Sequence, residues 1–256
     1  MKERADKLLF IKGLAKSRSA AQTLINEGKV FSDGKAVEKP SEALDTDSVI
    51  TVTDGLKYVS RGGLKLEGAL DAFEISVRGD VCVDIGASTG GFTDCLLQHG
   101  ASEVFAVDGG RGQLDPSLIN DGRVVNIEGF NARSLTADTL GYLCDTAVMD
   151  VSFISQTLLH KNAADVLKPG GKFITLIKPQ FEAGRENIGK HGMADKSSYR
   201  YVIDKVKKSA EENGFEFIGC VESPVKGGDG NTEFIAYFIK SNGENDEKIC
   251  RDTEFI

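Results

Sequence analysis

The chain has 256 residues, of which 40% are hydrophobic, so a buried core is expected and global disorder is not. Its apolar runs, such as residues 173–177, are far shorter than the ~20 residues that cross a bilayer, and its charged start does not resemble a secretory signal. The five cysteines form no CxxC pair and the three histidines are far apart, which argues against disulfides, a metal site and histidine catalysis. We therefore expect a cytoplasmic protein with no membrane span and no metal.

The first 53 residues predict a small α+β domain. Apolar residues recur at helical spacing over residues 5–14, and Ser17 is placed to cap a second helix that stops near Gly28. Two short strands flank the turn at Asp33-Gly34, and residues 49–52 predict another strand. The net charge of −8 would argue against nucleic-acid binding. Residues 1–30, however, carry seven Lys and Arg against three Asp and Glu, and a local basic patch can hold phosphates even on an acidic protein.

Basic side chains in this domain are placed at predicted helix ends and at the turn. Taken as charges alone, they fit an ordinary solvated surface. The pattern Lys16-Ser17-Arg18-Ser19, followed by Gly28-Lys29-Val30 and Gly34, resembles the S4 domain, which docks on structured RNA. The resemblance implies RNA binding through Lys12, Lys16, Arg18 and Lys29, and we add Arg61 from a predicted linker over residues 54–64.

Strands and helices alternate through the remainder of the chain. A helix is predicted at residues 64–73, and five strands follow at 81–85, 104–107, 124–127, 146–149 and 173–177, with helices from residues 93, 116, 154 and 199. Two late strands, 216–221 and 234–239, have no helix between them and predict an antiparallel edge pair. The fold class is α/β: a Rossmann-like, seven-stranded sheet typical of methyltransferases that use S-adenosylmethionine (SAM), over residues 65–242, with a polar tail at 243–256.

The turn after the first strand of this sheet is rich in glycine. Its glycines, Gly86, Gly90 and Gly91, do not have the GxGxxG spacing of a dinucleotide loop. Asp84 would repel a pyrophosphate but favours the positive methionine end of SAM, and Asp108 is placed to accept the ribose hydroxyls. Together the two acids favour SAM over NAD, although each alone could be a capping or turn residue.

Two further strand ends carry polar residues. Asp150 ends the fourth strand and is followed by Phe153, without the two prolines typical of enzymes that methylate exocyclic amines. Oxygen and carbon atoms therefore remain possible acceptors of the methyl group. Lys178 follows an apolar run and precedes Pro179; it is either a residue beside the cofactor or a surface lysine. Phe153 or Phe181 either stacks on a target base or belongs to the core.

Blocks of sequence in a fixed order carry a specific resemblance. They are residues 60–66, 84–93, 112–114, 131–133, 150–155, 178–182 and 230–233. The chain is identified by them as similar to the TlyA (haemolysin A) family, whose members join an S4 domain to an FtsJ-like methyltransferase domain. The resemblance implies methylation of a ribose 2′-hydroxyl, of a cytidine, in ribosomal RNA or ribosomal subunits.

Site residues follow from this resemblance. A catalytic tetrad would consist of Lys65, Asp150, Lys178 and Glu233, with Lys178 accepting the proton or steering the oxygen lone pair. SAM would be held by Asp84, Gly86, Ser88, Thr89, Gly90, Gly91, Phe92, Asp108, Asn131 and Asp150. Arg111 departs from the pattern, because relatives more often have an aromatic there. The alternatives are a membrane-acting haemolysin, an assembly factor with an inactive methyltransferase fold, and an enzyme that methylates a base or a protein.

Overall fold

A computed structural model describes residues 2–26, 28–52, 57–184, 187–189, 192–227 and 230–242. The chain divides into two compact units, residues 1–61 and the residues from 62 onward. Residues 54–56 of the predicted linker, His191 and the whole predicted tail at 243–256, with Cys250, lie outside the described residues. Within the described ranges, no helix is long and apolar enough to cross a membrane.

The first unit packs two helices against short strands. Its elements are β1 (Lys2–Arg4), α1 (Ala5–Ile11), α2 (Arg18–Asn26), β2 (Val30–Ser32), β3 (Lys35–Ala36), β4 (Ala43–Asp45) and β5 (Ile50–Val52). Ser17 Oγ accepts a hydrogen bond from the Ala20 N–H at 3.1 Å, so this residue caps α2 as its sequence position predicts. Asp33 and Gly34 both have positive φ, 50° and 79°, which is the geometry of a tight hairpin turn.

The second unit is a seven-stranded sheet with helices around it. Its elements are α3 (Gly62–Ala72), β6 (Val81–Ile85), α4 (Gly91–Gln98), β7 (Glu103–Asp108), α5 (Pro116–Ile119), β8 (Val124–Glu128), α6 (Ala137–Leu140), β9 (Cys144–Met149), α7 (His160–Asp165), β10 (Leu167–Ile177), α8 (Pro179–Glu182), α9 (Tyr199–Glu212), β11 (Phe215–Glu222) and β12 (Phe234–Lys240). The strand order is β11-β12-β10-β9-β6-β7-β8. The predicted fold class is confirmed.

Strand direction decides which strand ends meet. Strands β10, β9, β6, β7 and β8 run parallel, whereas β12 is antiparallel to both β10 and β11. The carboxyl ends of β6, β9 and β10 and the amino end of β12 therefore lie along one edge of the sheet. Open α/β sheets bind ligands outside the carboxyl ends of their strands, so this edge is where a site is expected.

One predicted helix begins later than expected. The sequence predicts a helix from Ile154, but residues after β9 first form an irregular segment and a short 3₁₀ turn, Gln156–Leu158, and α7 begins only at His160. The irregular segment carries Asp150, Ser152 and Phe153, and Phe153 has a positive φ of 67°, which a helix cannot accommodate.

Candidate active site

The glycine turn after β6 needs its glycines for two reasons. Gly86 and Gly90 have φ values of 90° and 94°, in the left-handed region that favours glycine. A Cβ on Gly86 would lie 2.5 Å from the backbone oxygen of Asp150, so the turn and the end of β9 are in close contact. The Asp150 N–H also donates to the Ile85 carbonyl oxygen at 3.0 Å, which fixes Asp150 beside the turn.

Asp84 lies inside β6 with no exposed surface. One of its oxygens, Oδ2, accepts hydrogen bonds from the Thr93 backbone N–H (3.0 Å) and hydroxyl (2.7 Å) at the start of α4. The other oxygen, Oδ1, has no hydrogen-bond partner among the described residues. Burial raises the pKa of Asp84 to about 7, opposed by the Thr93 hydroxyl and assisted by the nearby charge of Asp150.

Asp108, at the end of β7, is held against the same turn. Its Oδ2 accepts from the Ser88 N–H at 2.8 Å and its Oδ1 from the Gly110 N–H at 2.6 Å. Ser88 has a positive φ of 48°, which aims its N–H at the carboxylate. Each carboxylate oxygen has a second lone pair, so both can still accept from the hydroxyls of a bound ribose.

The loop after β7 is braced by a carboxylate from β8. Glu128 accepts three backbone N–H groups, from Gly112, Gln113 and Leu114, at 2.8, 2.8 and 3.1 Å, and these bonds lower the pKa of Glu128. Arg111, which departs from the family pattern, is exposed, and its guanidinium packs over Gly129, where a Cβ would lie 2.5 Å from Arg111 Cζ. Three hydrogen bonds to Glu128 and the packing of Arg111 on Gly129 therefore hold the loop beside Asp108 in place.

The remaining predicted cofactor residues differ in how accessible they are. Thr89 is exposed, and its carbonyl accepts from the Asp115 N–H at 3.2 Å. Gly91 and Phe92 begin α4, and Phe92 is only 3% exposed, so its ring belongs to the core and is not available to a ligand. Asn131 is exposed, and its side-chain oxygen accepts from the Arg133 N–H at 3.1 Å.

The four predicted catalytic residues form two lysine–carboxylate pairs. Lys65, in the first turns of α3, lies 2.5 Å from Glu233 Oε2, and the two side chains are 10% and 2% exposed. Lys178 Nζ lies 2.5 Å from Asp150 Oδ1, with side chains 11% and 21% exposed. Charges this shielded from water interact more strongly than surface pairs.

The two pairs lie at the same edge of the sheet. The register of β10 and β12 pairs Ile177 with Phe234, so the adjoining residues, Lys178 and Glu233, are opposite one another at the strand ends. Gln180 Nε2 lies 3.5 Å from Glu233 Oε1, which connects the segment after β10 to the Lys65–Glu233 pair. Asp150 also touches the turn at Gly86, so the Lys178–Asp150 pair borders the turn that Asp84 and Asp108 support, and the Lys65–Glu233 pair lies beside it at the same end of the sheet.

The predicted RNA-binding residues lie in the first unit. Lys12 and Lys16 are exposed, and Lys12 Nζ donates to the Ser48 carbonyl oxygen at 2.9 Å. Arg18 has a side chain that is 52% exposed, but its Nη2 contacts buried Asp6 at 2.9 Å. The partly buried Lys29 follows α2, and Arg61 Nη1 lies 3.9 Å from Glu38 Oε1.

Sequence reasoning missed the polar residues that support the site. Ser152 Oγ accepts from Lys178 Nζ at 2.7 Å, and buried Glu182 contacts Ser155, Gln156 and Lys205. Ser152 is part of the motif after β9, and Glu182 ends the motif Lys178-Pro179-Gln180-Phe181-Glu182. The motifs were visible in the sequence, but their mutual contacts were not.

The strand order, the glycine turn and the acidic residues of β6 and β7 define a methyltransferase of the SAM-dependent class. Residues 58–240 match the FtsJ-like methyltransferase family and residues 3–50 match the S4 domain. The chain belongs to the FtsJ-like methyltransferase family, within the TlyA (haemolysin A) group that carries an S4 domain, as its sequence blocks predict.

Relatives support this assignment over nearly the whole chain. YqxC of Bacillus subtilis is 45% identical over 92% of this chain and 85% of that protein. The 16S/23S rRNA (cytidine-2'-O)-methyltransferase TlyA of Mycobacterium tuberculosis is 43% identical over 91% of this chain and 88% of that protein. A solved structure from Streptococcus thermophilus, 43% identical, matches with a TM-score of 0.73 over 94% of this chain and 89% of that chain.

Proposed function

We propose that this methyltransferase transfers a methyl group from SAM to the 2′-hydroxyl of a cytidine in ribosomal RNA. The observation that carries the proposal is the pair of shielded lysine–carboxylate contacts, Lys65–Glu233 and Lys178–Asp150, beside the glycine turn. An oxygen acceptor needs a group that removes or directs its proton, and an amine acceptor typically does not need two lysines. The name of the relative TlyA, which specifies this reaction, agrees with the proposal.

The residues around the glycine turn fit SAM. The bare backbone of Gly86 leaves no room for a side chain, and Asp84 has a buried oxygen without a hydrogen-bond partner in the described part of the chain. A positively charged group of the ligand, such as those at the methionine end of SAM, would compensate the negative charge of this carboxylate. A pyrophosphate, itself an anion, could not. Asp108 would hold the ribose hydroxyls, and Asn131 would border the adenine. Bound here, SAM supplies a methyl group that is already strongly electrophilic.

The chain's own residues then align the acceptor and handle its proton. Lys178 is fixed by Asp150 and by the Ser152 hydroxyl. As the neutral amine, with its own proton released to solvent beforehand, it accepts the proton of the ribose 2′-hydroxyl; as the ammonium it donates a hydrogen bond that directs the oxygen lone pair. Lys65 adds a second positive charge, which Glu233 balances. Alignment of reacting groups can supply several kcal/mol, about 7–11 kcal/mol at most, so positioning is the larger part of the catalysis.

We infer that the first unit docks the RNA and that Phe153 stacks on the target base. Lys12, Lys16, Arg18, Lys29 and Arg61 supply positive charge for phosphates. Phe153 is 88% exposed, and its ring lies 5.3 Å from that of Phe181. Its positive φ is rare for a bulky residue and is typical of functional sites, and an enzyme acting on a nucleotide of folded RNA needs a surface for the displaced base. The chain would act in the cytoplasm, where ribosomal RNA is available.

Incubation with unmodified small and large ribosomal subunits and methyl-labelled SAM tests the proposal. Nuclease digestion of the RNA should yield labelled 2′-O-methylcytidine with the wild type. A labelled base or labelled protein would contradict the choice of acceptor. RNA binding without methyl transfer and without heat of SAM binding in calorimetry would indicate an assembly factor instead.

The Lys178→Ala variant tests the catalytic role that we propose for this lysine. Loss of a general acid or base typically lowers the rate by ~10²–10⁴-fold, so we expect a decrease of at least about 100-fold in single-turnover methylation. SAM affinity should change little, because Lys178 contacts Asp150 and Ser152 rather than Asp84 or Asp108. A wild-type rate in this variant would refute the role.

A further inference from the structure

Two segments lie side by side at the active edge of the sheet. One follows β9 and spans residues 150–156, and the other follows β10 and spans residues 178–182. Contacts follow the same order along both segments: Asp150 and Ser152 with Lys178, Phe153 with Phe181, and Ser155 and Gln156 with Glu182. We call these two segments the clamp. Its outer part carries Lys178, the exposed Phe153 and the partly buried Phe181, and its inner part holds buried Gln156 and Glu182.

The inner part of the clamp centres on the Glu182 carboxylate, which is 4% exposed. Its Oε2 accepts from the Ser155 hydroxyl at 2.6 Å and from Lys205 Nζ at 2.9 Å, and its Oε1 accepts from the Gln156 backbone N–H at 2.7 Å. Charged acceptors form stronger hydrogen bonds than neutral ones. One buried carboxylate thus joins both segments of the clamp to helix α9.

Gln156 fixes the first segment to the strand that leads to Lys178. This side chain is 2% exposed; its Nε2 donates to the Leu176 carbonyl oxygen at 3.1 Å, and its Oε1 accepts from the Thr175 hydroxyl at 2.5 Å. Thr175 and Leu176 are near the end of β10. The position of the residues after β9 is therefore tied to the strand end from which Lys178 projects.

Phe153 lies between the two ends of the clamp and has a strained backbone. Its φ of 67° is unfavourable for a bulky residue and persists only where neighbouring contacts hold it. The neighbours that can do so are Ser152, which contacts Lys178, and Ser155, which contacts Glu182. The ring itself, 88% exposed, gains little from packing, so these two contacts hold the conformation.

We propose that Glu182, acting through Ser155 and Gln156, is a positioning residue that fixes Lys178 and Phe153 relative to each other. It is buried and touches none of the groups that would meet the substrate, so its effect is on geometry. The inference rests on the proposed function, because methyl transfer to an RNA hydroxyl is the reaction that this geometry serves.

A spectroscopic test uses the fact that the sequence contains no tryptophan. Phe153→Trp places a single fluorophore on the clamp, and Tyr142→Trp places one on an exposed residue packed against Phe105, outside the clamp. We expect Glu182→Gln, which puts an amide donor where Oε2 now accepts two bonds, to lower the fluorescence anisotropy of the clamp reporter only. Unchanged anisotropy at position 153, or an equal decrease at both positions, would overturn the proposal.

A kinetic test separates positioning from stability. We expect Glu182→Gln to lower the single-turnover methylation rate at least tenfold and Ser155→Ala severalfold, with SAM affinity within twofold of wild type. Ser209→Ala is the matched control, because Ser209 Oγ lies 2.9 Å from His160 Nδ1 and lies on α9 like Lys205 but outside the clamp. Wild-type rates in both clamp variants, or an equal loss in the control, would refute the positioning role.

The two tests also separate this inference from the proposed function. If Glu182→Gln does not fold, Ser155→Ala in the Phe153→Trp background decides the question, since it removes only the hydrogen bonds of one hydroxyl, to Glu182 and to Thr157. If the wild type methylates no ribosomal RNA, the proposed function fails, and the anisotropy experiment still decides whether Glu182 fixes the clamp.

Discussion

Lys65 and Glu233 lie 168 residues apart along the chain and meet in a site that water hardly reaches, with side chains 10% and 2% exposed. Removal of one partner from such a pair leaves a buried charge without compensation, whereas removal of both charges costs less. The pair must therefore affect folding stability as well as catalysis, and a loss of activity in a single variant does not distinguish the two.

A double-mutant comparison separates these effects. We expect Lys65→Met to lower the free energy of unfolding by about 3–5 kcal/mol, measured by urea denaturation. Lys65→Met combined with Glu233→Gln should recover most of that loss, while methyl transfer stays abolished. If the double variant recovers both stability and activity, Lys65 has no catalytic role.

Asp84 gives a pH dependence with a definite sign. Its folded-state pKa, raised by burial to about 7, exceeds the ~3.9 expected when unfolded, so the native state holds the proton more tightly. Stability from this group is therefore present at low pH and is lost as the pH rises through 7.

Asp84→Asn removes this dependence and keeps the size of the side chain. Between pH 5 and pH 8, without SAM, the stability of the wild type relative to the variant should fall by about 2–3 kcal/mol. Urea unfolding at the two pH values measures it. A constant difference would mean that Asp84 is already ionised at pH 5.

Helices α1 and α2 are joined by a buried carboxylate. Asp6 has no exposed surface and accepts hydrogen bonds from Arg4 (3.0 and 3.1 Å), Gln22 (2.9 Å) and Arg18 (2.9 Å). The hydrogen bonds from Arg4, with those from Gln22 and Arg18, outweigh burial and hold the pKa of Asp6 well below its ordinary range. Arg18 is thus partly a structural residue as well as a proposed RNA contact.

Asp6→Asn should loosen the first unit without touching RNA directly. We expect amide hydrogen exchange in α2 to accelerate by about 5–150-fold, corresponding to a loss of about 1–3 kcal/mol, with exchange in β9 and β10 unchanged. In the wild type the depressed pKa means that the contribution of Asp6 is present above about pH 4 and is lost below it. Unchanged exchange in α2 would show that the carboxylate does not join the two helices.

Elements differ in how far the sequence could predict them. The strands of the large sheet are apolar runs bounded by turns, and six of the seven were predicted within two residues at each end, whereas β10 begins six residues before the predicted 173–177. The three-residue strands β1 (Lys2–Arg4) and β4 (Ala43–Asp45) were not, because a charged or mixed tripeptide has no recognisable period. The start of α7 was misjudged because tertiary contacts of the buried Gln156 side chain, which no local pattern encodes, hold the preceding segment out of helical geometry.

At the scale of the whole molecule, composition and local pattern predicted two units and a methyltransferase sheet, but the candidate site needed the family resemblance. The four proposed catalytic residues come from α3, the ends of β9 and β10 and the residue before β12. Spacing along the chain cannot bring these positions together, because that requires the strand order β12-β10-β9-β6. The contacts of Glu182 were unpredictable for the same reason, since Ser155 and Lys205 lie 27 and 23 residues away.

The proposed division of labour between the units predicts how charge affects RNA binding. The whole chain carries a net charge of −8, so binding to ribosomal RNA must depend on local basic residues. The logarithm of the RNA-binding constant falls linearly with the logarithm of the salt concentration, and each lost phosphate contact makes this slope shallower by about 0.7–0.9. Replacing Lys12, Lys16 and Lys29 with glutamine should therefore lower that slope by about 2–3.

The matched control replaces three exposed or partly exposed lysines of the second unit with glutamine, namely Lys161, Lys207 and Lys208. This control variant changes the net charge by the same amount as the triple variant of the first unit. Fluorescence binding titrations at several salt concentrations measure both triple variants. We expect the control slope to equal that of the wild type, because a local contact rather than the total charge sets the number of ions released. Equal reductions in the two variants would mean that RNA responds only to the overall field of the protein, and the first unit would then not be the docking domain.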